Sequence, residues 1–323
     1  MRKQMTDLAS KKIVFVVNPR AGNCATEKEW PRIQVEARNR LGSFTTHLTT
    51  KPGDATRITR MCLGEGADLV VCVGGDGTLN EVVNGFMDEK GPIKTDAVLG
   101  FVPNGTGCDF VKTAPIPIMI EQSLDTIQEG YIKSIDLGRL QYHDREGRLH
   151  IRYFHNIASF GLGGEVVDRV NRNSKVFGPF ISFIWSTLVS IFLYGKKKVR
   201  LKVDDMYDRE VIVWNIAVAN GQYHGGGMWV APDAVIDDGL LQITVIGDLS
   251  LAEVFWNLPK LYNGKIKEVK NVFMLSGRMV EAHSEQYVQL DVDGEQPGLL
   301  PIVIDVMPAA LRMITKKHGI TNL

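Results

Sequence analysis

The chain has 323 residues, with 37 Lys plus Arg balanced by 37 Asp plus Glu, so its formal net charge is zero. That balance argues against a protein drawn to nucleic acid by overall charge, and 44% hydrophobic with 23% charged residues is ordinary for a soluble globular protein. A length beyond the ~250–300 residues at which single cores stop growing predicts two domains.

Lys12–Val17 is a short β-branched run and predicts a buried strand, closed by the turn residues Asn18, Pro19, Arg20, Ala21 and Gly22. MRKQMTDLASKK, before it, carries no apolar run, which predicts no secretory signal. A helix is expected from about Thr26 to Leu41, stopped by Gly42, although Pro31 conflicts with that start. Phe44–Leu48 predicts a second strand, Asp54 a helix cap, and Asp68–Val73 a third strand running into Gly74-Gly75-Asp76-Gly77. Thr78 is expected to open a helix to about Met87. Ala97–Val102 predicts a fourth strand, ending in Pro103-Asn104-Gly105-Thr106-Gly107. This rhythm predicts an α/β domain with a parallel sheet, whose ligands bind beyond the carboxyl ends of the strands. Cys24, Cys62, Cys72 and Cys108 form no CxxC pair, so reduced thiols in a cytoplasmic protein are expected.

After about Asp136–Gly138 the pattern changes. Near-alternating runs at Leu149–Ile157, Val199–Val203, Val211–Val218, Leu240–Ile246, Tyr287–Val292 and Ile302–Val306 predict a mainly antiparallel β-sandwich. Helices at about Gly164–Val170 and Leu251–Leu261 are the exceptions, with the apolar segment Val176–Gly195.

The stretch Gly74-Gly75-Asp76-Gly77-Thr78-Leu79-Asn80-Glu81 concentrates the chemistry. Glycines after a strand let the backbone approach phosphate oxygens, and the helix that follows offers free N–H groups and a positive dipole end. Asp76 in such a loop makes sense beside phosphates if Mg²⁺ lies between them. Thr78-x-x-Glu81 can equally be a capping box. The spacing is neither the dinucleotide fingerprint nor the Walker A pattern.

The string VVCVGGDGTLNEVVNGF resembles the GGDGTxNE signature of the diacylglycerol kinase catalytic-domain family. KIVFVVNPRAGN, TTKPGDAT, FVPNGTGCDF, SIDLG, NIASFGLGGEV, APDAVIDDGLL and LDVDGE follow that family's order from about residue 11 to 307. The resemblance implies a phosphofructokinase-like nucleotide domain over 1–137 and about 307–323, a β-sandwich lipid-substrate domain over 138–306, and ATP in the cleft between them. It implies that Asn18 to Gly22, Thr49, Gly74, Gly75, Gly77, Thr78, Asn80, Glu81, Gly105 and Thr106 bind the nucleotide, with Arg20 reaching a phosphate. Asp76, Asp109 and Asp136 would form a water-mediated Mg²⁺ network, and Glu295 would be the general base that takes the proton of the lipid hydroxyl. Asp238, with the carbonyls of Val235 and Leu240, would hold a second, structural Mg²⁺. From spacing alone, Asp293-Gly294 reads as a hairpin turn with Glu295 solvated, and Asp237-Asp238-Gly239 as a plain turn. Cys108 departs from the family's usual Asn, and a thiol cannot replace a carboxamide's hydrogen bonds. His224, in QYHGGGM, could contact a headgroup or be a loop histidine without a role.

The implied activity is ATP- and Mg²⁺-dependent phosphorylation of a membrane lipid, diacylglycerol first, with a sphingoid base or ceramide, or a non-catalytic binding role, as alternatives. A cytoplasmic enzyme peripheral to the inner face of the membrane, with no nucleic-acid partner, is expected; the oligomeric state, homodimer included, stays open. Val176–Gly195 has the length of a span, but spanning would put Asp76 and Glu295 on opposite sides of a bilayer. Ser182, Ser186 and Ser190 make a small-residue stripe suited to close packing. The opposite face carries Phe180, Ile184, Trp185, Leu188 and Phe192. The segment is read either as a buried helix of the second domain or as one that in part dips into the interface or lines the lipid entry, with Lys196–Lys198 near anionic headgroups.

Overall fold

The computed structural model describes residues 3–4, 8–144, 146–166 and 189–317. It divides into two compact units, Met1–Asp136 with Pro308–Leu323, and Leu137–Met307.

In the first unit, β1 (Ile13–Val17), β2 (Thr45–Leu48), β3 (Leu69–Gly74) and β4 (Val98–Pro103) pair in parallel in the order β4-β3-β1-β2. Their registers, such as Val14 with Val70 and Val70 with Leu99, align the four carboxyl ends along one edge. The connecting helices are α1 (Ala21–Leu41), α2 (Asp54–Gly64) and α3 (Asp76–Phe86), and α4 (Ile120–Glu129) follows β4. β1 and β3 are buried on both faces and read as unbroken apolar runs, as central parallel strands do. Phe15, Val17, Val71 and Val73 pack with Ile33 and Ala37 of α1 and Leu124 and Ile127 of α4. Pro31 lies inside α1 rather than at its start. The helical path is interrupted earlier, at Gly22, Asn23 and Cys24, whose φ values are 60, 59 and 66°.

In the second unit a five-stranded antiparallel sheet orders β12 (Val272–Gly277), β11 (Leu241–Ile246), β10 (Asn215–Ala219), β7 (Ile157–Gly161) and β14 (Leu290–Val292). A second layer pairs β9 (Tyr207–Val213), β8 (Lys197–Val203) and β13 (Met279–His283) with the first part of β15 (Leu299–Ile314), again antiparallel. β5 (Tyr131–His143) and β6 (Leu149–Phe154) form a hairpin. Val199, Leu201, Val280 and Ile304 of one layer meet Ile216, Val218, Ile243 and Leu290 of the other, which makes a β-sandwich. The far end of β15 returns to the first unit, where Met313 pairs in parallel with Leu99.

The expected strand over Leu149–Ile157 is broken at His155-Asn156, and that over Val211–Val218 at Trp214. α5 (Leu251–Asn257) opens on a Ser250–Glu253 capping box and continues as a 3₁₀ turn, Leu258–Leu261.

Of the apolar segment, Phe180, Ser182, Ile184, Trp185, Ser186 and Leu188 lie outside the described residues, as do residues 167–170 of the expected helix before it. Ser190 and Ile191 are buried, while Phe192 is exposed. No helix among the described residues is long and apolar enough to cross a membrane.

Candidate active site: a glycine cradle in one unit, an acidic turn and an apolar cavity in the other

At the carboxyl edge of the first unit's sheet, the loops after β1, β3 and β4 are tied backbone to backbone. The Asn18 N–H donates to the Val73 carbonyl (3.0 Å) and the Asn104 N–H to the Gly74 carbonyl (2.7 Å). The Asn18 amide donates to the Thr78 hydroxyl at 2.9 Å, and its Oδ1 accepts the Arg20 N–H at 3.0 Å. A Cβ on Gly105 would lie 2.4 Å from the Gly75 Cα, and one on Gly74 would lie 2.7 Å from the Thr78 hydroxyl. None of these glycines has a positive φ, so they are required by close contact and not by turn conformation. Thr49 closes the edge, its N–H bonded to the Val17 carbonyl at 2.9 Å.

α3 starts at Asp76 with Gly75 as N-cap, two residues before the expected start. Thr78 and Glu81 form no capping box there. Thr78 faces Asn18, and the Glu81 carboxylate accepts the N–H groups of Gly53 (2.9 Å) and Ala55 (3.0 Å), holding the start of α2. Asn80 is fully buried, its carboxamide oxygen accepting from Asn84 at 3.2 Å. These bonds also make Asn80 and Glu81 part of the scaffold of the loop.

Asp76 and Asp109 are brought together. The Asp76 carboxylate accepts the N–H groups of Asp109 (3.0 Å) and Phe110 (3.4 Å), fixing the loop after β4. Asp109 is buried with Lys112 Nζ 2.7 Å from its carboxylate. Cys108 takes a left-handed backbone (φ 46°), and burial, with the charge of Asp76 next, pushes its thiol up to about 12. The thiol stays protonated near neutral pH, an unreactive filler under the loop. Thr106 and Arg20 are exposed at the same edge. Asp136 instead accepts the Ala309 N–H at 2.7 Å, where φ is 51°. Among the described residues no three His, Cys, Asp or Glu side chains are grouped to hold a metal.

Within the second unit, Asp293 and Gly294 have φ of 48 and 88° and form the tight turn between Val292 and Glu295, whose backbones exchange hydrogen bonds at 2.8 and 3.0 Å. Positive φ at both central residues is the type I′ signature of an Asp-Gly hairpin turn. Glu295 is half-exposed with Arg152 Nη2 2.8 Å from its carboxylate. Asp293 is buried beneath it. Its carboxylate accepts the N–H groups of Ile157 (2.8 Å) and His155 (3.2 Å) and lies 2.9 Å from the His155 ring. Burial alone would raise the Asp293 carboxyl, but the His155 ring and these N–H groups hold it below the ordinary carboxylate range. The Asp238 carboxylate accepts the Leu240 N–H at 2.9 Å, and Val235 beside it is exposed.

Sequence reasoning missed a cavity of about 130 Å³ in this unit, walled by Leu162, Val166, Ile191, Trp214, Val230 and Leu258. Its lining spans residues 159 to 291, so no local pattern reports it. His224 is not an idle loop residue: its Nε2 lies 2.8 Å from Asp291 at this cavity. Of the lysine run, Lys196 pairs with Asp248 and Lys198 with Glu210, and Lys197 lies over the Tyr194 ring.

Residues 12–140 match the family described as the diacylglycerol kinase catalytic domain, and residues 156–315 match the YegS C-terminal NAD kinase beta sandwich-like domain. A diacylglycerol kinase of Staphylococcus carnosus (strain TM300) is 28% identical over 293 residues, 90% of each chain. The crystal structure of a diacylglycerol kinase from Bacillus anthracis str. Sterne aligns with a TM-score of 0.71 at 21% identity, covering 96% of this chain and 98% of that one. An NAD kinase from Archaeoglobus fulgidus in complex with ATP gives 0.52 at 15%, covering 96% of each. The last two likenesses speak for the fold, and the first three matches for the family: the chain belongs to the diacylglycerol kinase catalytic-domain family and is a phosphotransferase.

Proposed function

We propose that the chain transfers the γ-phosphoryl group of ATP to a hydroxyl of a membrane lipid, with diacylglycerol, giving phosphatidic acid, as the first acceptor to test. The observation that carries this reading is the bare Gly75–Gly105 contact at the sheet's carboxyl edge. Side-chain-free backbone beside the start of α3 is what a polyphosphate needs to come close. Gly74, Gly77 and Thr78 continue that surface, and Arg20 and Thr106 are exposed where they can reach phosphate oxygens.

Asp76 and Asp109 fit Mg²⁺ in the manner of a nucleotide-borne ion, which takes one or two carboxylates and completes its shell with phosphates and waters. When bound, that ion neutralises charge on the phosphates. Asp136 enters only through water. In the second unit, Glu295 accepts the proton of the lipid hydroxyl as the new O–P bond forms, and Arg152 steers its carboxylate. Asp293 and His155 position the turn that carries Glu295.

A lipid acceptor requires contact with a membrane surface. Trp256 is 84% exposed, Leu193 68% and Phe192 64%, and the Phe192 ring is tilted against that of Phe255 with centroids 5.0 Å apart. Aromatic and aliphatic side chains in such positions favour the headgroup boundary. Radiolabelled ATP offered with lipid extracts, with and without Mg²⁺, tests the reading. A labelled lipid that depends on Mg²⁺ is expected, and no labelled lipid under any metal condition overturns it.

A further inference from the structure

Three loops meet at the carboxyl edge of the first unit's sheet, and Asn104, just after β4, is bonded to the other two. Its N–H donates to the Gly74 carbonyl at 2.7 Å, its carbonyl accepts the Thr26 hydroxyl at 3.2 Å, and its side-chain amide donates to Glu29 Oε2 at 3.0 Å. The first bond reaches the end of β3, and the other two reach the first turns of α1. Gly105, next in the chain, is the residue pressed against the Gly75 Cα. Whatever fixes Asn104 therefore fixes the bare backbone at this edge.

The loop after β1 depends on such a tie. Gly22, Asn23 and Cys24 are all left-handed, a conformation that residues other than glycine hold only where their surroundings impose it. Before this run, the Cys24 N–H donates to the Arg20 carbonyl at 3.3 Å, and the Glu27 N–H spans the run to reach the Pro19 carbonyl at 3.1 Å. After it comes Thr26, which is 0% exposed. Its hydroxyl lies 3.3 Å from the Ala21 carbonyl as well as 3.2 Å from that of Asn104. A hydroxyl has one proton to give, so this proton is shared between one carbonyl of each loop. Glu29 stands three residues on, which puts it on the same side of α1. A Cβ on Gly22 would lie 3.1 Å from the Asn104 carbonyl oxygen, so the two loops approach closely where Thr26 joins them.

We propose that Thr26 and Glu29 are positioning residues for the nucleotide. Acting through Asn104, they set Gly105 and Thr106 against the Asn18–Gly22 turn, so that the loops after β1 and β4 present one surface to the phosphates. This rests on the nucleotide half of the lipid-kinase reading and deepens it, by naming what holds that surface in register.

Thr26→Val keeps the shape of the side chain and removes the hydroxyl, whereas Thr26→Ser keeps the hydroxyl. Titration calorimetry of the full chain with Mg²⁺ and a non-hydrolysable ATP analogue is expected to show binding at least about fivefold weaker in Thr26→Val and near that of the wild type in Thr26→Ser. The KM for ATP should rise by a similar factor. The kcat and the KM for the lipid should change by less than about twofold, because phosphates that are not transferred are held alike in the ground and transition states. Asn104→Leu loses the Glu29 bond but keeps both backbone bonds, and is expected to weaken analogue binding by a smaller factor, about two- to threefold. A second readout needs no nucleotide: exchange of the Asn104 N–H, which the Gly74 carbonyl protects, should be at least about tenfold faster in Thr26→Val. Analogue binding that Thr26→Val leaves unchanged overturns the proposal, as does a loss that Thr26→Ser does not recover, unchanged exchange at Asn104, or a wild type that binds no nucleotide. Weakened binding that Thr26→Ser recovers supports it even where no lipid is labelled and the lipid-kinase reading has failed. Thermal melting verifies that each variant folds, and where Thr26→Val does not, Asn104→Leu with binding equal to the wild type overturns the proposal in its place.

Discussion

The glycine edge of the first unit and the cavity face of the second are built on opposite terms. At the edge, each polar group that fixes a loop has a named partner: Asn18 with Thr78, Asp76 with the Asp109 N–H, Glu81 with Gly53 and Ala55. Its specificity is carried by backbone held rigidly, with glycines where loops touch. At the cavity most of the wall is apolar, the Ser159 hydroxyl has no hydrogen-bond partner among the described residues, and Asp291 lies 2.8 Å from the His224 ring. A polyphosphate is always the same charged object, so a preformed surface suits it. An apolar cavity works by volume and by one or two polar groups, so the protein supplies space and a small number of polar atoms.

The comparison breaks most sharply at the reacting groups. Glu295→Gln is expected to reduce kcat by about 10²–10⁴-fold while melting changes little, because the side chain is half-exposed; near-normal turnover in folded protein would remove it as the base. Gly105→Ala comes next. Its methyl would meet the Gly75 backbone at 2.4 Å, and neither loop can yield without moving the phosphate surface. A displacement of about 1 Å costs on the order of 10²-fold in rate. Gly77→Ala, where a Cβ meets nothing within 4 Å, tests that the loss comes from contact between loops: its effect on nucleotide KM is expected to be several-fold smaller than that of Gly105→Ala.

How far these two regions could be read from sequence follows the same division. The glycine edge was legible because its requirements are local: β-branched runs give the strands, and Gly74 to Gly77 and Gly105 follow them directly. The helix start was misplaced at Thr78 because Thr-x-x-Glu satisfies a capping pattern, and only the tertiary contacts with Asn18 and Gly53 show that both side chains are used elsewhere. The sandwich is legible as alternation, but its breaks are not: Trp214 continues a strand pattern, and His155-Asn156 carries no Gly or Pro to mark an interruption. The cavity was illegible because Ser159, Trp214 and Asp291 come from strands far apart in the chain. The His224 contact is hidden for the same reason: its partner, Asp291, is a residue that sequence spacing does not bring near.

The turn that carries Glu295 gives a pH test of smaller size. Its buried Asp293 has a carboxyl held below the ordinary range by His155 and the surrounding N–H groups, against the opposing effect of burial. A carboxyl depressed in the folded state contributes stability that is complete above its unfolded value, near 3.9, and is lost as pH falls through the lower folded value. The wild type is therefore expected to lose stability more steeply than Asp293→Asn below about pH 4. At pH 7 Asp293→Asn should be less stable by about 1–3 kcal/mol. Urea unfolding at a series of pH values checks both. Parallel curves for the two proteins would show that the carboxylate charge contributes nothing.

The smallest expected effect lies on the outer surface of the cavity's helical cover. Trp256 sits on α5 with its side chain 84% exposed, while Val254, from the same helix, lines the cavity and packs in the core beneath. One helix thus faces the apolar cavity on one side and solvent on the other. An exposed Trp makes no core contact, so Trp256→Ser should change folding stability by no more than about 0.5 kcal/mol. At a membrane the same side chain would bury apolar area worth about 1–2 kcal/mol, so binding to vesicles containing anionic lipid should weaken by roughly five- to thirtyfold. With short-chain acceptor below its micellar concentration, turnover should be unchanged, because no surface is then involved. Equal vesicle binding by wild type and Trp256→Ser would detach α5 from the membrane and leave the exposed Phe192 and Leu193 as the remaining contact, whereas a loss seen with both dispersed and vesicular lipid would place Trp256 in the structure of the cavity itself.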